Sequence, residues 1–271
     1  MELSGDRDPG PHSPPPREYQ KNPMKLAACI NHVPDTATKI NLAADGRTID
    51  KAGVTYVISP YDEFAVEECL RLKEKNGGDV TVISLGGDTH KESLRKALAM
   101  GADKAVLLKD DGVRDSFSVA RALADYLKEL APDVIFFGKQ SVDYDDGAVG
   151  IMVAEMLGLP SVAVVVKLEL AGGKAVAERE IEGGREVVET TLPAVFTAQK
   201  GLNEPRYPSL KGIMSAKNKP IEERPAAPVT AKTELVKMEK PPAKPAGKIV
   251  GTDASAVPEL VRLLHEEAKV I

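Results

Sequence analysis

The stretch that decides the fold is DVTVISLGGDTHKESLRKALAMGADKAVLL, residues 79–108. It opens with an apolar run typical of a buried strand, and GGDT then forms a turn that leads into a helix. Leu94 and Leu98 recur at helical spacing, Gly101 ends the helix, and KAVLL at 104–108 is a second strand-like run. The stretch therefore predicts a β-α-β unit with two parallel strands.

The same alternation continues on both sides of this unit. Further strands are predicted at 25–31, 56–58 and 133–137, further helices begin at Ser59-Pro60 and near Gly147, and Ser116 is predicted to cap another helix. Glu67 and Glu68 are adjacent on the first of these helices and are interpreted as part of a solvated edge. Short strands that alternate with helices of about three turns predict an α/β fold, with a parallel sheet covered by helices on both faces.

The alternation of short strands and helices stops after residue 160. The apolar run at 162–170 is followed by Gly172-Gly173 and Gly183-Gly184, which predict two hairpin turns and an antiparallel excursion. Residues 200–219 are interpreted as irregular and basic, and residues 220–247, rich in proline and lysine, as an extended arm. The chain is predicted to end in a helix whose apolar stripe is Val257, Leu260, Leu263 and Leu264.

Composition excludes several classes of protein. The 271 residues hold 36 basic and 41 acidic side chains, and this mild negative charge gives no argument for nucleic-acid binding. Two cysteines cannot form a disulfide scaffold, and no apolar run is long enough to span a membrane. Residues 1–23 are rich in proline and lack the apolar core of a secretory signal, so we interpret them as a disordered extension. The cytoplasm is the default location.

In a parallel sheet, ligands bind beyond the carboxyl ends of the strands. The most informative loop there is GKQSVDYDDGAVG, Gly138–Gly150, which follows a strand and opens a helix. Backbone amides at a helix N-terminus favour an anion, and Gly147 and Gly150 would let phosphate approach the backbone. The alternative is a solvated acidic turn. Two further turns, SPYDE at 59–63 and LGGD at 85–88, are explained either by capping and turn chemistry or by the same cleft.

The inventory of catalytic groups is thin. His32 and His90 lack the spacing of metal ligands, and no nucleophile elbow or zinc-protease motif is present. Cys29 lies inside a predicted strand and is interpreted as a core residue. We therefore predict no catalytic residues and no metal site, and a binding protein more readily than a hydrolase.

The sequence LNEPRYPSLKGIMSAKNK at 202–219 resembles the beta subunit of electron-transfer flavoprotein. SPYDEFAVEECLRLKEK, ALAMGADKAVLL, GKQSVDYDDGAVG and EREIEGGREVVETTLPAV resemble that family in the same order and spacing. The resemblance covers about residues 24–271. It implies an adenine-nucleotide-hydrolase-like, Rossmann-like fold.

The resemblance also implies a function. Family members are not enzymes but electron carriers, heterodimers of an alpha and a beta subunit. They take electrons from dehydrogenases of the acyl-CoA type, in fatty acid beta-oxidation, and pass them to a quinone oxidoreductase. The alpha subunit holds most of the contacts to FAD, while the beta subunit helps to complete that site and binds a structural AMP. Electron-bifurcating members hold a second FAD in the AMP cleft, and this alternative stays open.

The family's sites map onto this chain residue by residue. The nucleotide-binding positions are Cys29, Ser59, Pro60, Tyr61, Asp62, Leu85, Lys139, Gln140, Ser141, Val142, Asp143, Tyr144, Asp145, Asp146, Gly147, Ala148, Val149 and Gly150. Tyr61 also matches a position near the flavin of the alpha subunit, and the partner-recognition positions are Leu210, Lys217 and Lys219. Family members often have Asn at position 59 and N-Q-T-G where this chain has Gly147–Gly150, so phosphate would rest mainly on backbone amides.

The expected organisation is an α/β nucleotide-binding domain at 24–199, a partner-recognition loop at 200–219 and an extended C-terminal arm at 220–271. The terminal helix of that arm is expected to dock on the alpha subunit. The alternative from another class is a stand-alone ATP-binding enzyme or stress-type protein with the same α/β fold.

Overall fold

The computed structural model describes residues 23–271 except 113 and 244–245, so most of the predicted disordered extension lies outside the described residues. The strands are β1 Met24–Cys29, β2 His32–Pro34, β3 Tyr56–Ile58, β4 Gly78–Gly86, β5 Lys104–Lys109, β6 Val134–Gly138, β7 Ser161–Ala171, β8 Lys174–Ile181, β9 Gly184–Thr191, β10 Ala194–Ala198 and β11 Ile221–Pro225. The helices are α1 Pro60–Asn76, α2 His90–Met100, α3 Ser116–Leu130, α4 Val149–Leu157, α5 Leu210–Asn218 and α6 Val257–Glu266, preceded by a 3-10 turn at Ala254–Ala256.

One sheet organises the α/β body. Its nine strands have the order β11-β5-β4-β1-β6-β10-β7-β8-β9. The pairs from β11 to β7 are parallel, and β8 and β9 add an antiparallel excursion. The predicted α/β fold with a largely parallel sheet is therefore confirmed. Because β1, β4 and β6 are parallel neighbours, their carboxyl ends meet at one edge of the sheet.

Apolar side chains fill both faces of this sheet. Phe136 and Phe196 lie side by side on β6 and β10, with ring centroids 5.5 Å apart, and both are fully buried. Residues of α1 and α2 pack on that face, while residues of α3 and α4 pack on the opposite one. Each large apolar side chain buried in this way contributes about 1.5–3 kcal/mol, which makes the two layers a firm base for the loops at the strand ends.

Three predictions about elements were wrong. Helix α3 begins after Asp115, whose carboxylate accepts the Ser118 N–H at 2.8 Å, so Ser116 is the first helical residue and not the cap. The stretch at 200–219 is not irregular throughout, because it contains α5. The arm at 220–247 begins with β11, which pairs with β5 at the edge of the sheet, where a polar strand ending in Pro225 is tolerated.

The described chain divides into two compact units. The first comprises residues 23–41 and 50–236, and the second comprises Leu42–Ile49 and Lys237–Ile271. Within the second unit, Leu42 bridges Ile49 around a turn whose Gly46 carbonyl accepts the Met238 N–H at 2.8 Å. Its helix α6 has no buried residue. No helix in the described part of the chain is long and apolar enough to cross a membrane.

Candidate nucleotide cleft and partner-recognition segment

Three loops meet at the carboxyl edge of the sheet, through two side chains. The carboxylate of Asp62, in the first turn of α1, accepts the Asn31 N–H at 2.8 Å with one oxygen and the Gly138 N–H at 2.9 Å with the other. The Asn31 amide in turn donates to Ser141 Oγ and to the Asp143 carboxylate, both at 2.9 Å. These bonds join the end of β1, the start of α1 and the 138–150 loop into one structure, which we call the carboxyl-edge cleft.

The 138–150 loop is held by its own acidic side chains. Asp146 accepts the Ala148 N–H at 2.8 Å and the Ser116 hydroxyl, and its backbone carbonyl accepts the Ser141 N–H at 3.1 Å. Asp143 accepts the Tyr144 N–H at 2.9 Å. The carboxylates that suggested a solvated acidic turn therefore accept hydrogen bonds that hold the loop together.

The cleft also holds groups suited to an anion. Lys139 Nζ lies over the Tyr61 ring, 4.8 Å from its centroid. In α4 the Met152 N–H bonds to the Ala148 carbonyl, so the amides of the first turn point out of the end of the helix. Together with the helix dipole, these donors favour a phosphate group.

Ser59 departs from the expected capping role. It lies at the N-cap of α1, but its side chain makes no cap hydrogen bond. Its hydroxyl is buried and has no hydrogen-bond partner among the described residues. A buried hydroxyl left unpaired costs about 1–3 kcal/mol, and Ser59 lies beneath the surface with none of its area exposed.

The glycines of the cleft have packing roles. A Cβ at Gly138 would lie 2.6 Å from the Asp62 carboxylate, and one at Gly147 would lie 2.9 Å from the Lys139 carbonyl. Gly150 is buried, and a Cβ there would crowd Phe137 and Thr197 at 3.1 Å. The proposed approach of phosphate to Gly147 and Gly150 stays a prediction, because close packing already requires glycine at both positions.

The remaining predicted positions lie around these loops. Cys29 and Leu85 are near the carboxyl ends of β1 and β4. Cys29 is buried, and burial raises the pKa of its thiol, as expected of a core residue. Gln140 donates to Asp145 within the 138–150 loop, while Tyr144 has 68% of its surface exposed. Pro60, Val142 and Val149 occupy the start of α1, the same loop and the start of α4.

Two histidines form a pair that the sequence did not indicate. The rings of His32 and His90 lie 5.1 Å apart, and Nδ1 of each is within hydrogen-bond distance of a serine hydroxyl, Ser93 at 2.8 Å and Ser84 at 2.9 Å. Burial lowers the pKa of His90 to about 4. Among the described residues, no group of three or more His, Cys, Asp and Glu side chains could hold a metal ion.

The segment 202–218, which we call the recognition segment, is anchored on α1. The Arg206 guanidinium binds Glu67 at 2.8 Å and Glu74 at 2.5 Å. Asn203 donates to the Glu68 carboxylate at 2.9 Å and to the Phe64 carbonyl at 3.0 Å. The interpretation of Glu67 and Glu68 as a solvated edge was wrong, since both are buried against this segment.

One side of helix α5, in the same segment, packs against α2, and its other side is exposed to solvent. Ser209 caps it by accepting the Gly212 N–H at 3.0 Å, and a Cβ at Gly212 would lie 2.3 Å from the Ala99 carbonyl of α2. Lys219 donates to the Ala102 carbonyl at 2.6 Å, while Lys217 is exposed. The large exposed side chains of the segment are Tyr207, Leu210, Ile213 and Met214, with Tyr207 94% and Leu210 84% exposed.

A cavity of about 540 Å³ lies elsewhere in the first unit, between α1 and β7. Leu72, Leu168 and Leu170 line it together with charged side chains. It shares no lining residue with the loops of the carboxyl-edge cleft, so volume alone does not identify the cleft.

Comparison with known proteins identifies the class. The electron transfer flavoprotein domain matches residues 47–229, which include α1, the 138–150 loop and the recognition segment. The chain is 43% identical over 259 residues to the electron transfer flavoprotein subunit beta of Bacillus subtilis, covering 92% of this chain and 100% of that protein. It is 44% identical to the subunit beta of Syntrophomonas wolfei, covering 83% and 88%, and 39% identical to that of Bradyrhizobium diazoefficiens, covering 92% and 100%. The chain belongs to the beta subunits of the electron transfer flavoprotein family, which are electron carriers and not enzymes.

Proposed function

We propose that this chain pairs with an alpha subunit, binds AMP in the carboxyl-edge cleft and helps to complete the FAD site of its partner. The heterodimer carries electrons in the cytoplasm from dehydrogenases of the acyl-CoA type to a quinone oxidoreductase, as part of fatty acid beta-oxidation. The flavin supplies the redox chemistry. The beta subunit contributes binding surfaces and the position of the nucleotide.

The joined loops at the carboxyl edge are the observation that carries the nucleotide assignment. They bring the first turn of α4 and the Lys139 ammonium to the end of the sheet where nucleotides bind in such folds. Ala148 and Val149 offer no side-chain donors, so phosphate would rest on backbone amides and on Lys139. This donor set fits a phosphate group such as that of AMP.

The recognition segment supports the second half of the proposal. Burying Leu210 in a partner would contribute about 1.5–3 kcal/mol, enough to orient an encounter but not to make it permanent. Lys211 and Lys217 are exposed on the same helix, and residues 210–218 contain no acidic side chain. Such a helix would accelerate association with an acidic dehydrogenase surface more than it would tighten the complex.

The test is to produce the chain together with an alpha subunit and to count the small molecules that the purified heterodimer releases. We expect one FAD and one AMP per heterodimer, by absorbance and mass spectrometry. Two FAD molecules and no AMP per heterodimer would show that the cleft holds a second flavin in place of AMP, and would identify an electron-bifurcating beta subunit. A chain that ignores alpha subunits and hydrolyses ATP by itself would overturn the proposal entirely.

A further inference from the structure

Asp62 is placed to control the shape of the carboxyl-edge cleft from a buried position at the start of α1. Its side chain is 6% exposed, and its two oxygens accept the N–H groups of Asn31 and Gly138. A carboxylate accepts both bonds at full strength, whereas the hydroxyl oxygen of a protonated carboxyl is a weaker acceptor and the NH2 group of a carboxamide would turn donors toward one of the two amides. The join between β1 and the 138–150 loop therefore depends on the charge state of this side chain.

We propose that Asp62 is a positioning residue of the nucleotide cleft, whose ionised carboxylate fixes the start of the 138–150 loop against the end of β1 and so sets the affinity for the nucleotide. The inference rests on the proposed function, because it takes AMP as the ligand. The inference assigns a positioning role to a side chain that is buried in the fold.

The surroundings of Asp62 raise the pKa of its carboxyl close to neutral pH. Burial raises the pKa of Asp62 to about 7, against the opposing effect of the two backbone N–H bonds. The charged groups around it are Asp143 of the loop and Glu63 of its own helix, which raise the pKa further, while Lys139 lies over the neighbouring Tyr61 ring. The Cys29 thiol on β1 stays neutral, since burial and the Asp62 charge raise its pKa. Below pH 7 the carboxyl takes up a proton, and the oxygen that carries it becomes a weaker acceptor for its backbone N–H.

Asn31 provides an independent connection to the same loop. Its side-chain amide donates to Ser141 and Asp143, and the amide itself has no ionisable group. The loop is therefore tied by one side chain that ionises, Asp62, and by one that does not, Asn31. Asn31→Ala removes the second and leaves the Asp62 carboxylate in place.

The experiment uses nucleotide-depleted heterodimer and measures binding of AMP by equilibrium dialysis at pH 8, 7 and 6. We compare the wild type with Asp62→Asn, Asn31→Ala and the control Asp125→Asn. Asp125 carries the same carboxylate on the surface of α3, paired with Arg121. The phosphate of AMP titrates near pH 6, so a second series uses adenosine 5′-sulfate, whose charge is constant over this range.

For adenosine 5′-sulfate we expect the wild type to bind about tenfold more weakly at pH 6 than at pH 8. Asp62→Asn should bind about tenfold more weakly than the wild type at pH 8 and equally at pH 6, because it lacks the titrating group. Asn31→Ala should bind more weakly at every pH and keep the dependence on pH. Asp125→Asn should match the wild type.

A flat wild-type profile with adenosine 5′-sulfate would overturn the proposal, and this holds even if Asp62→Asn fails to assemble. Equal affinities of Asp62→Asn and wild type at pH 8 would overturn it too, as would a loss that is the same at all three pH values, which indicates a merely structural role. A wild-type heterodimer that binds no AMP at any pH would instead show that the proposed function fails, and the inference with it.

Discussion

The carboxyl-edge cleft and the recognition segment use polar side chains in opposite ways. In the cleft, Asn31, Asp62 and Asp146 are turned inward and bonded to backbone amides or to each other's loops. In the recognition segment, Arg206 and Asn203 bind glutamates of α1. The apolar side chains that follow them in the segment, such as Leu210, are exposed to solvent. The polar side chains of the cleft hold its loops to one another, whereas those of the segment attach it to α1 and leave its apolar side chains exposed.

This difference matches the two kinds of binding that we propose. A resident nucleotide needs donors held in place, because each preorganised contact avoids an ordering cost. A visiting dehydrogenase needs a surface that it can leave quickly, which a small anchor on a rigid helix provides. Variants that damage one region should therefore leave the other intact.

The largest effect should come from the base of the recognition segment. Arg206→Met leaves the buried Glu67 carboxylate with only the backbone N–H of residue 206, which costs about 3 kcal/mol because Arg206 is itself partly exposed. The free energy of unfolding of the heterodimer, measured in urea, checks this value. Glu74→Gln is the control: Glu74 is 57% exposed, and its loss should cost less than about 1 kcal/mol. A cost below 1 kcal/mol for Arg206→Met would show that the segment is not anchored here.

A smaller effect should come from the histidine at the cleft edge. The folded protein holds His90 neutral with a pKa of about 4, below the ordinary 6.5, so the unfolded chain takes up the proton first. Stability is then lost as the pH falls from about 6.5 to 4, by about 2 kcal/mol after allowance for the partial exposure of the ring. Asp62 acts in the opposite direction, because its raised pKa adds stability at low pH that is lost as the pH rises through about 7.

The comparison of wild type with His90→Asn isolates the histidine, since Asp62 is the same in both proteins. Between pH 7 and pH 4 the wild type should lose about 2 kcal/mol more than the variant in urea unfolding. Parallel losses in the two proteins would mean that His90 does not titrate in this window.

Much of the fold could be predicted from local pattern. The β-α-β unit at 79–108 became β4, α2 and β5, because apolar runs, a glycine turn and helical spacing all lie within thirty neighbouring residues. β11 was missed because its sequence is polar and its partner β5 lies more than a hundred residues earlier. An edge strand needs apolar residues on one side at most, so its sequence resembles a loop.

The site was predictable to the same extent and for the same reason. The 138–150 loop follows a strand and opens a helix, which the sequence displays directly. The strand predicted at 25–31 ends at Asn31, but the role of this side chain could not be predicted. It depends on Ser141 and Asp143, which are distant in sequence and are brought close by the fold. The burial of Glu67 could not be predicted either, because its partner Arg206 is 139 residues away in sequence.

The smallest effect on stability, and the clearest on function, should come from Leu210→Ala. This side chain is 84% exposed, so the free energy of unfolding should not change. Reduction of the heterodimer by an acyl-CoA dehydrogenase should slow about tenfold, the equivalent of about 1.4 kcal/mol of lost burial. Val187→Ala, on the exposed face of β9, is the matched control and should reduce at the wild-type rate.

The most direct test of the separation between the two regions is to measure AMP content and the rate of reduction by the dehydrogenase on the same preparations of Leu210→Ala and Asp62→Asn heterodimers. We expect Leu210→Ala to keep its AMP and lose about tenfold in rate, and Asp62→Asn to lose AMP while keeping the rate of any FAD-loaded heterodimer. Loss of AMP in Leu210→Ala, or an equal loss of rate in both variants, would contradict the account.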